Sequence, residues 1–383
     1  MLCCRLLRRL SGAMIRAWFV GALLIGLPLG SGCGYFSSAA NDSTVPESST
    51  ESGSETSVEP GATAASPADA LPSAPSTTLP PSTTLPPSNT LPPSTPLPTA
   101  GGNTRLESGR PLMVGSFNIQ RFGETKSKKE AVMNRLLEIT YPFDILAIQE
   151  VVSQKEAVVQ NFVEQLNAKY GAKFNYVVGP FVGRTTYVER AAYVYDTSRV
   201  KLLEQPFVLA DPEDKLHREP LVARFQVREE LSAQPFSFVL VNFHLDPKDA
   251  VPELDHVSDL LNVLPSMFQG AEDDFLLLGD FNLNPGKIFA ETKFAARPDW
   301  KPVLEDRVMT NTRKDKAYDN IVYQVDNTSE FLRRQGVIDL QARFQITLDE
   351  ALEISDHLPI WAAFSLDEAG PQNTAGAGAA AVR

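Results

Sequence analysis

Between residues 112 and 364 the sequence is cut into short apolar runs, and a compact polar cluster stands at an end of most of them. The clusters read Phe117-Asn118-Ile119, Gln149-Glu150, Asn242-Phe243-His244, Gly279-Asp280-Phe281-Asn282, Tyr318-Asp319-Asn320 and Ser355-Asp356-His357. Runs this short, rich in Val, Ile, Leu and Phe, are strands. The chain must therefore fold around sheets whose ends deliver carboxylates, amides and two histidines to one rim. Those groups together are what metal-assisted cleavage of a phosphate ester needs.

Composition leaves only residues 109–366 able to fold. A domain of that size hides well over half of its unfolded surface. Ahead of it, Arg5, Arg8, Arg9 and Arg16 accompany an apolar stretch from Ala17 to Leu29 and then Gly30-Ser31-Gly32-Cys33. Residues 1–33 read as an export signal whose apolar core is too short for a comfortable transmembrane helix. Translation starts at Met1 or at Met14, which alone leaves a signal of ordinary length. Small residues leading into Cys33 resemble the lipobox of bacterial lipoproteins, although Leu29 lies four residues before the cysteine where three is usual. Cys33 is thus the expected lipidation site. The exported protein is expected as a membrane-anchored lipoprotein of the cell envelope, or as a secreted protein if Cys33 is not acylated.

Residues 34–108 are dominated by Ser, Thr, Pro, Ala and Gly and carry a repeated six-residue Ser-x-x-Leu-Pro-x unit. Such a segment buries too little apolar surface to offset ordering and reads as a disordered tether, ~200 Å long if extended. Residues 367–383 read as a disordered tail. Cys3, Cys4 and Cys33 all precede the folding domain, which excludes disulfides and thiol chemistry there. The formal charge of −12 argues against a broad basic face. Nucleic acid would need a divalent cation and local arginines to offset the repulsion.

Strands are predicted over 112–119, 144–151, 176–182, 190–195, 221–227, 236–245, 275–281, 320–325 and 357–364, and helices over 128–139, 155–169 and 251–268. Many strands with few covering helices imply two packed sheets flanked by helices, an α/β or α+β sandwich. Glu150 follows the buried run 145–148 at its carboxyl end, where α/β proteins place ligands, although a lone carboxylate there is more often a surface cap. If the strand at 275–281 continues, Asp280 and Asn282 share a face; read alone, Gly-Asp-Phe-Asn is also an ordinary turn. Of the four histidines, His217 and His256 sit in polar or amphipathic surroundings and read as solvated. His244 and His357 lie among carboxylates and suit acid and base work near neutral pH.

Taken in order, these clusters resemble the endonuclease/exonuclease/phosphatase superfamily and, within it, deoxyribonuclease I. Phe122-Gly123-Glu124-Thr125-Lys126, Gly183-Arg184, Tyr187-Val188-Glu189-Arg190, Arg218-Glu219-Pro220 and the run from Ala351 to His357 extend the likeness over nearly the whole domain. The resemblance implies a four-layered sandwich of two mixed sheets between helices. It implies His244 and His357 as the acid and base pair, oriented by Glu189 and Asp319. It also implies Glu150, Asn118, Asp280 and Asp356 around a catalytic cation, with Asn282 on the scissile phosphate. Arg184, Tyr187 and Arg218 would touch the nucleic-acid backbone. Oxygen ligands suit Mg2+, with Mn2+ or Ca2+ as substitutes.

Two positions depart from the family pattern, Gln120 and Val152, each standing where an arginine is expected to meet a DNA phosphate. Arg121, Lys126 and Lys128 lie nearby as replacements. The implied enzyme is a metal-dependent deoxyribonuclease I-like endonuclease, a monomer without an obligate protein partner. The alternatives are a hydrolase of lipid head groups or small phosphodiesters, and a catalytically dead binding protein.

Overall fold

The structure is a computed structural model that describes residues 109–154 and 157–368. The export signal, Cys33, the tether and most of the tail lie outside these residues. In chain order the elements are β1 (Leu112–Phe122), α1 (Glu124–Ser127), α2 (Glu130–Thr140), β2 (Ile145–Val151), α3 (Ala157–Tyr170), β3 (Phe174–Val178), β4 (Arg190–Asp196), β5 (Val200–Leu202), β6 (Phe207–Val208), β7 (Leu221–Val227) and β8 (Ser237–His244). Then come α4 (Ala250–Leu260), α5 (Leu264–Met267), β9 (Phe275–Asp280), α6 (Pro285–Glu291), β10 (Trp300–Pro302), β11 (Asp319–Gln324), β12 (Phe331–Val337), α7 (Leu340–Phe344), α8 (Leu348–Ile354) and β13 (Ile360–Phe364).

The strands form two sheets, β12-β13-β1-β2-β4-β3 and β10-β11-β9-β8-β7-β5, with β6 beside β7. Each sheet has one central parallel pair, β1/β2 in the first and β8/β9 in the second, and is otherwise antiparallel. Three apolar layers account for the sandwich. Leu112, Val114, Ile145, Ala147, Phe238, Leu240, Leu276 and Leu278 meet between the sheets. Met113, Phe117 and Ile148 pack outward on Val132, Leu136 and Phe162 of α2 and α3. Val239, Val241 and Leu277 pack outward on Leu254 and Val257 of α4. Burying a side chain of this size contributes about 1.5–3 kcal/mol, so both faces of each sheet are committed.

That commitment positions the rim. Side chains alternate along a strand, so the inner face of β1 runs Leu112, Val114, Ser116, Asn118, that of β8 runs Phe238, Leu240, Asn242, His244, and that of β9 runs Leu276, Leu278, Asp280. Apolar residues fill the depth and polar ones close the carboxyl ends. Gln149 donates from Nε2 to Ser116 Oγ at 3.0 Å and to Asn242 Oδ1 at 2.7 Å, tying the two sheets together under the rim.

Several elements differ from the predicted ones. The strand expected over 176–182 is β3, ending at Val178, while Val182 only bridges Glu189. His357 precedes β13 and bridges Asn311 instead of opening the strand, since Pro359 lacks the N–H that a ladder needs. The helix expected over 251–268 breaks into α4 and α5 ahead of Pro265. Strand β12 was not predicted. It is an edge strand with exposed Leu332, Arg333 and Arg334 and no apolar alternation.

Candidate active site

Glu150 should point outward by strict alternation, beside Ile148. It takes a left-handed conformation instead, φ +59°, where the pairing of β2 with both neighbours slips. This bulge re-aims the carboxylate. Its Oε1 accepts from Asn118 Nδ2 at 3.0 Å, and its Oε2 accepts from the Arg121 backbone at 3.0 Å and from the Tyr187 hydroxyl at 2.8 Å. Burial works to raise its pKa, but the His244 charge and these hydrogen bonds outweigh burial and hold it below the usual carboxylate value. It stays anionic. Tyr187 moves the other way: burial and the Glu150 charge push its hydroxyl far up, so it remains a donor.

Gly279 brings β9 close to β8. Its φ is +144°, and a Cβ there would lie 1.9 Å from the Phe243 carbonyl oxygen. The close approach sets Asp280 opposite His244 in the register. One oxygen, Asp280 Oδ2, then lies 3.6 Å from His244 Nε2, 3.4 Å from His357 Nε2 and 3.3 Å from Asn118 Nδ2. Each imidazole is backed through Nδ1 by a carboxylate, His244 by Glu189 at 2.9 Å and His357 by Asp319 at 2.8 Å. Both backing carboxylates are buried.

The electrostatics follow from this. Burial opposes charge on His244, but Glu189 and Asp280 outweigh it and the opposing Arg218, so the imidazole pKa is raised. Burial likewise opposes charge on His357, and Asp319 with Asp280 raises it well above an ordinary histidine. Thr310 Oγ1 donates to Asp319 Oδ2 at 2.8 Å and fixes the carboxylate.

Asp356 completes the carboxylates. It lies close enough to Lys126 to act on that ammonium together with Glu150, and its Oδ1 is buried without a hydrogen-bond partner among the described residues. An unmatched oxygen on a carboxylate that shares Lys126 with Glu150 is the kind of donor a hard divalent cation takes. Asn118 contributes differently from its neighbours: its Oδ1 accepts from the Gln120 backbone at 2.9 Å and its Nδ2 faces the two carboxylates.

Deoxyribonuclease-1-like 1 of Chlorocebus aethiops is 32% identical over 262 residues, covering 66% of this chain and 84% of the relative. The chain belongs to the deoxyribonuclease I-like family. Deoxyribonuclease gamma of Rattus norvegicus is 28% identical over 267 residues, 65% of this chain and 83% of that one. No family model matches. Among solved structures, an endonuclease/exonuclease/phosphatase family protein from Leptotrichia buccalis superposes with a TM-score of 0.49 at 13% identity, covering 66% of this chain and 99% of the other.

Within this deoxyribonuclease I-like domain the structure brings Asn118, Glu150, Tyr187, Glu189, Arg218, His244, Asp280, Asn282, Asp319, Asp356 and His357 to one rim. Arg218 donates from Nε to the His244 carbonyl at 2.8 Å, and one terminal nitrogen, Nη2, is buried without a hydrogen-bond partner among the described residues. Asn282 does not extend β9 as expected. It turns to φ +49°, and its amide donates to the Leu245 carbonyl at 2.8 Å. Arg184 stands farther out, paired with Asp214 at 3.0 Å.

The expectation that His217 and His256 are solvated is overturned. His256 is 6% exposed and its Nε2 meets Asp211 at 2.9 Å, while His217 is half-buried against Asp249 at 2.9 Å. Gln120 and Val152 line a cleft of about 790 Å3 beside Glu150, together with Arg121, Lys126, Lys129 and Tyr187. Lys129 takes the place expected of Lys128. Lys126 donates to the Ile119 and Ile354 carbonyls, both at 2.7 Å, and burial brings its pKa down to about 8 against the pull of Asp356 and Glu150. Thr310 carried no sequence signal, and Ser355 was named only as part of the Ser355-Asp356-His357 cluster, without a role. The Ser355 hydroxyl donates to the Asn118 carbonyl at 2.6 Å and accepts from the His357 backbone at 3.0 Å.

Proposed function

We propose that this chain is an exported endonuclease that hydrolyses DNA phosphodiester bonds with a histidine acid and base pair and a divalent cation, magnesium first. The observation that carries the reading is the convergence of two carboxylate-backed imidazoles on Asp280 Oδ2, next to the anionic Glu150. Membership of the deoxyribonuclease I-like family supports a hydrolase of phosphoric ester bonds, and DNA is the substrate that the names of the relatives suggest.

Glu150, Asp280 and Asp356 would hold the cation, which supplies a positive charge at the phosphoryl oxygens. The chain's own residues do the rest. One imidazole takes a proton at Nε2 from the attacking water, and the other gives a proton from Nε2 to the leaving sugar oxygen. Glu189 and Asp319 accept the Nδ1 protons, which fixes the ring orientation and leaves Nε2 for the reaction. The terminal nitrogen of Arg218 and the second amide hydrogen of Asn282, the first being held by the Leu245 carbonyl, would meet the charge that develops on phosphorus. Arg121, lying 5.9 Å over the Tyr187 ring, Lys129 and Arg184 would carry the backbone contacts that Gln120 and Val152 do not make.

Export, acylation of Cys33 and a monomeric state belong to the proposal on the sequence alone. No helix among the described residues is long and apolar enough to cross a membrane. The deciding experiment is nicking of supercoiled plasmid by the purified protein with magnesium, beside His244→Ala and a chelator. Nicking that disappears in both controls is expected. Intact plasmid, with hydrolysis of a small phosphodiester by the same preparation, would retain the chemistry and overturn DNA as substrate.

A further inference from the structure

A second group of carboxylates gathers at the other end of β9, ~20 Å from Asp280 along the strand. Asp274 immediately precedes β9, Glu330 immediately precedes β12, and Glu368 follows β13. One ligand oxygen from each lies within 4.8 Å of the others. Asp274 and Glu330 are each 1% exposed, and Asp274 Oδ1 has no hydrogen-bond partner among the described residues. The adjacent Glu272 is matched by Arg224 at 2.9 Å. No Lys or Arg among the described residues makes such an ion pair with Asp274 or Glu368.

We propose that Asp274, Glu330 and Glu368 form a structural calcium site, separate from the catalytic rim, that fastens the chain entering β9 and β12 to the chain leaving β13. The donors are all carboxylate oxygens, with no imidazole or thiolate, which selects a hard cation. Calcium accepts six to eight oxygens at ~2.4 Å in irregular geometry, so two ligands on opposite sides stand ~4.8 Å apart. The three oxygens lie within 4.8 Å of one another, inside that span. Magnesium, smaller and strictly octahedral, is less tolerant of ligands whose places are already set.

Access and second contacts are also present. A cleft of about 480 Å3, bounded by Gln234, Ser237, Asp273 and Glu368, opens beside the group and admits an ion with its remaining waters. Glu368 is held by the Ser237 backbone N–H at 3.1 Å, and Ser237 Oγ donates to Glu272 at 2.7 Å. Asn327 Nδ2 ties the Asp273 carbonyl at 2.9 Å, and the Ser365 N–H donates to the Glu330 carbonyl at 2.8 Å. The carboxylates are therefore preset and not collected from mobile loops. Without a cation, burial outweighs the pull of the Thr328 hydroxyl and, with the charges of Glu330, Glu368 and Glu272, pushes Asp274 up to about 9, and burial pushes Glu368 up to about 7.

The test is thermal unfolding of the full chain in EGTA and in calcium chloride, alongside Asp274→Asn and Glu150→Gln, with bound calcium counted by equilibrium dialysis. Calcium at a hundredfold excess over Kd should raise Tm by ~5 °C or more in the wild type and in Glu150→Gln. In Asp274→Asn the calcium response and one bound ion should both be lost. That variant should nick plasmid as the wild type does and melt in EGTA close to the wild type, because Asp274, with its pKa raised, carries little charge there without a cation. If Asp274→Asn does not fold, the half-buried Glu368→Gln takes its place with the same expectations. An unchanged calcium response in these variants, a response abolished by Glu150→Gln, or no response in the wild type overturns the site.

Discussion

Replacing Glu189 by Gln keeps a hydrogen-bond acceptor at His244 Nδ1 but removes the charge 2.9 Å away. Glu189 is 3% exposed, so water cannot take over the role. A hydrogen bond to a charged group is worth about 1.5–3 kcal/mol, and ~1.4 kcal/mol corresponds to one pKa unit. The His244 pKa should therefore fall. Arg218 adds to the fall, because its Nε lies 3.8 Å from Glu189 Oε1 and would be left beside the ring without its counter-charge. In plasmid nicking we expect kcat about 10²-fold lower with KM little changed, against 10²- to 10⁴-fold for His244→Ala. Whichever limb of the pH profile moves down also assigns the role: the acidic limb if His244 is the base, the alkaline limb if it is the acid. Glu189 acts through the ring, so the double variant should be no slower than His244→Ala alone. Losses that add in the double variant, or wild-type kcat and pH profile in Glu189→Gln, refute the assignment.

Other perturbations read other parts of the molecule. Gly279→Ala forces a Cβ to 1.9 Å from the Phe243 carbonyl at φ +144°, and a loss of about 3 kcal/mol or more in urea unfolding is expected, together with loss of nicking as Asp280 and His244 separate. Lys126→Met leaves the Ile119 and Ile354 carbonyls without their shared donor and should cost about 2 kcal/mol, read from the urea midpoint. The raised pKa values of His244 and His357 fix a sign for stability. The contribution of each carboxylate-backed imidazole is complete below about 6.5 and is lost as pH rises through the raised folded values. In chelator, unfolding free energy measured from pH 6 upward should decline, and less so in His357→Gln.

How much of this was legible in sequence depended on whether a residue obeyed its local period. Leu276, Leu278 and Asp280 share one face by alternation alone, and so do Leu240, Asn242 and His244, so their places at the rim followed from the apolar pattern. Glu150 breaks the period, and only a left-handed backbone at φ +59° turns it inward; nothing local to Gln149-Glu150-Val151 announces that bulge. Asn282 fails in the opposite sense, since alternation beyond Asp280 was assumed and the chain turns instead. Strand β12 escaped because an edge strand facing solvent with Leu332, Arg333 and Arg334 has no buried face to pattern. Thr310 and Ser355 act through one hydroxyl each, Thr310 on Asp319 and Ser355 on the Asn118 carbonyl and the His357 backbone, and such contacts leave no periodic trace.

The histidines show where the signal lies. Each of the four has a carboxylate within 2.9 Å of a ring nitrogen: Asp249 for His217, Glu189 for His244, Asp211 for His256 and Asp319 for His357. A histidine and carboxylate pair is therefore no mark of catalysis in this chain, and neither is burial, since His256 is as enclosed as the others. What separates His244 and His357 is the second nitrogen. Their Nδ1 atoms are occupied by Glu189 and Asp319, and their Nε2 atoms both turn to Asp280 Oδ2 at 3.6 and 3.4 Å. His256 spends Nε2 on Asp211, and its Nδ1 is buried without a partner among the described residues. His217 also has a carboxylate at each nitrogen, Asp249 at Nε2 and Asp246 at Nδ1, 3.8 Å away, but neither carboxylate pairs with a second imidazole among the described residues. Only the two rings that share Asp280 keep one nitrogen fixed and one facing a common point, and this is the arrangement that lets one take a proton while the other gives one.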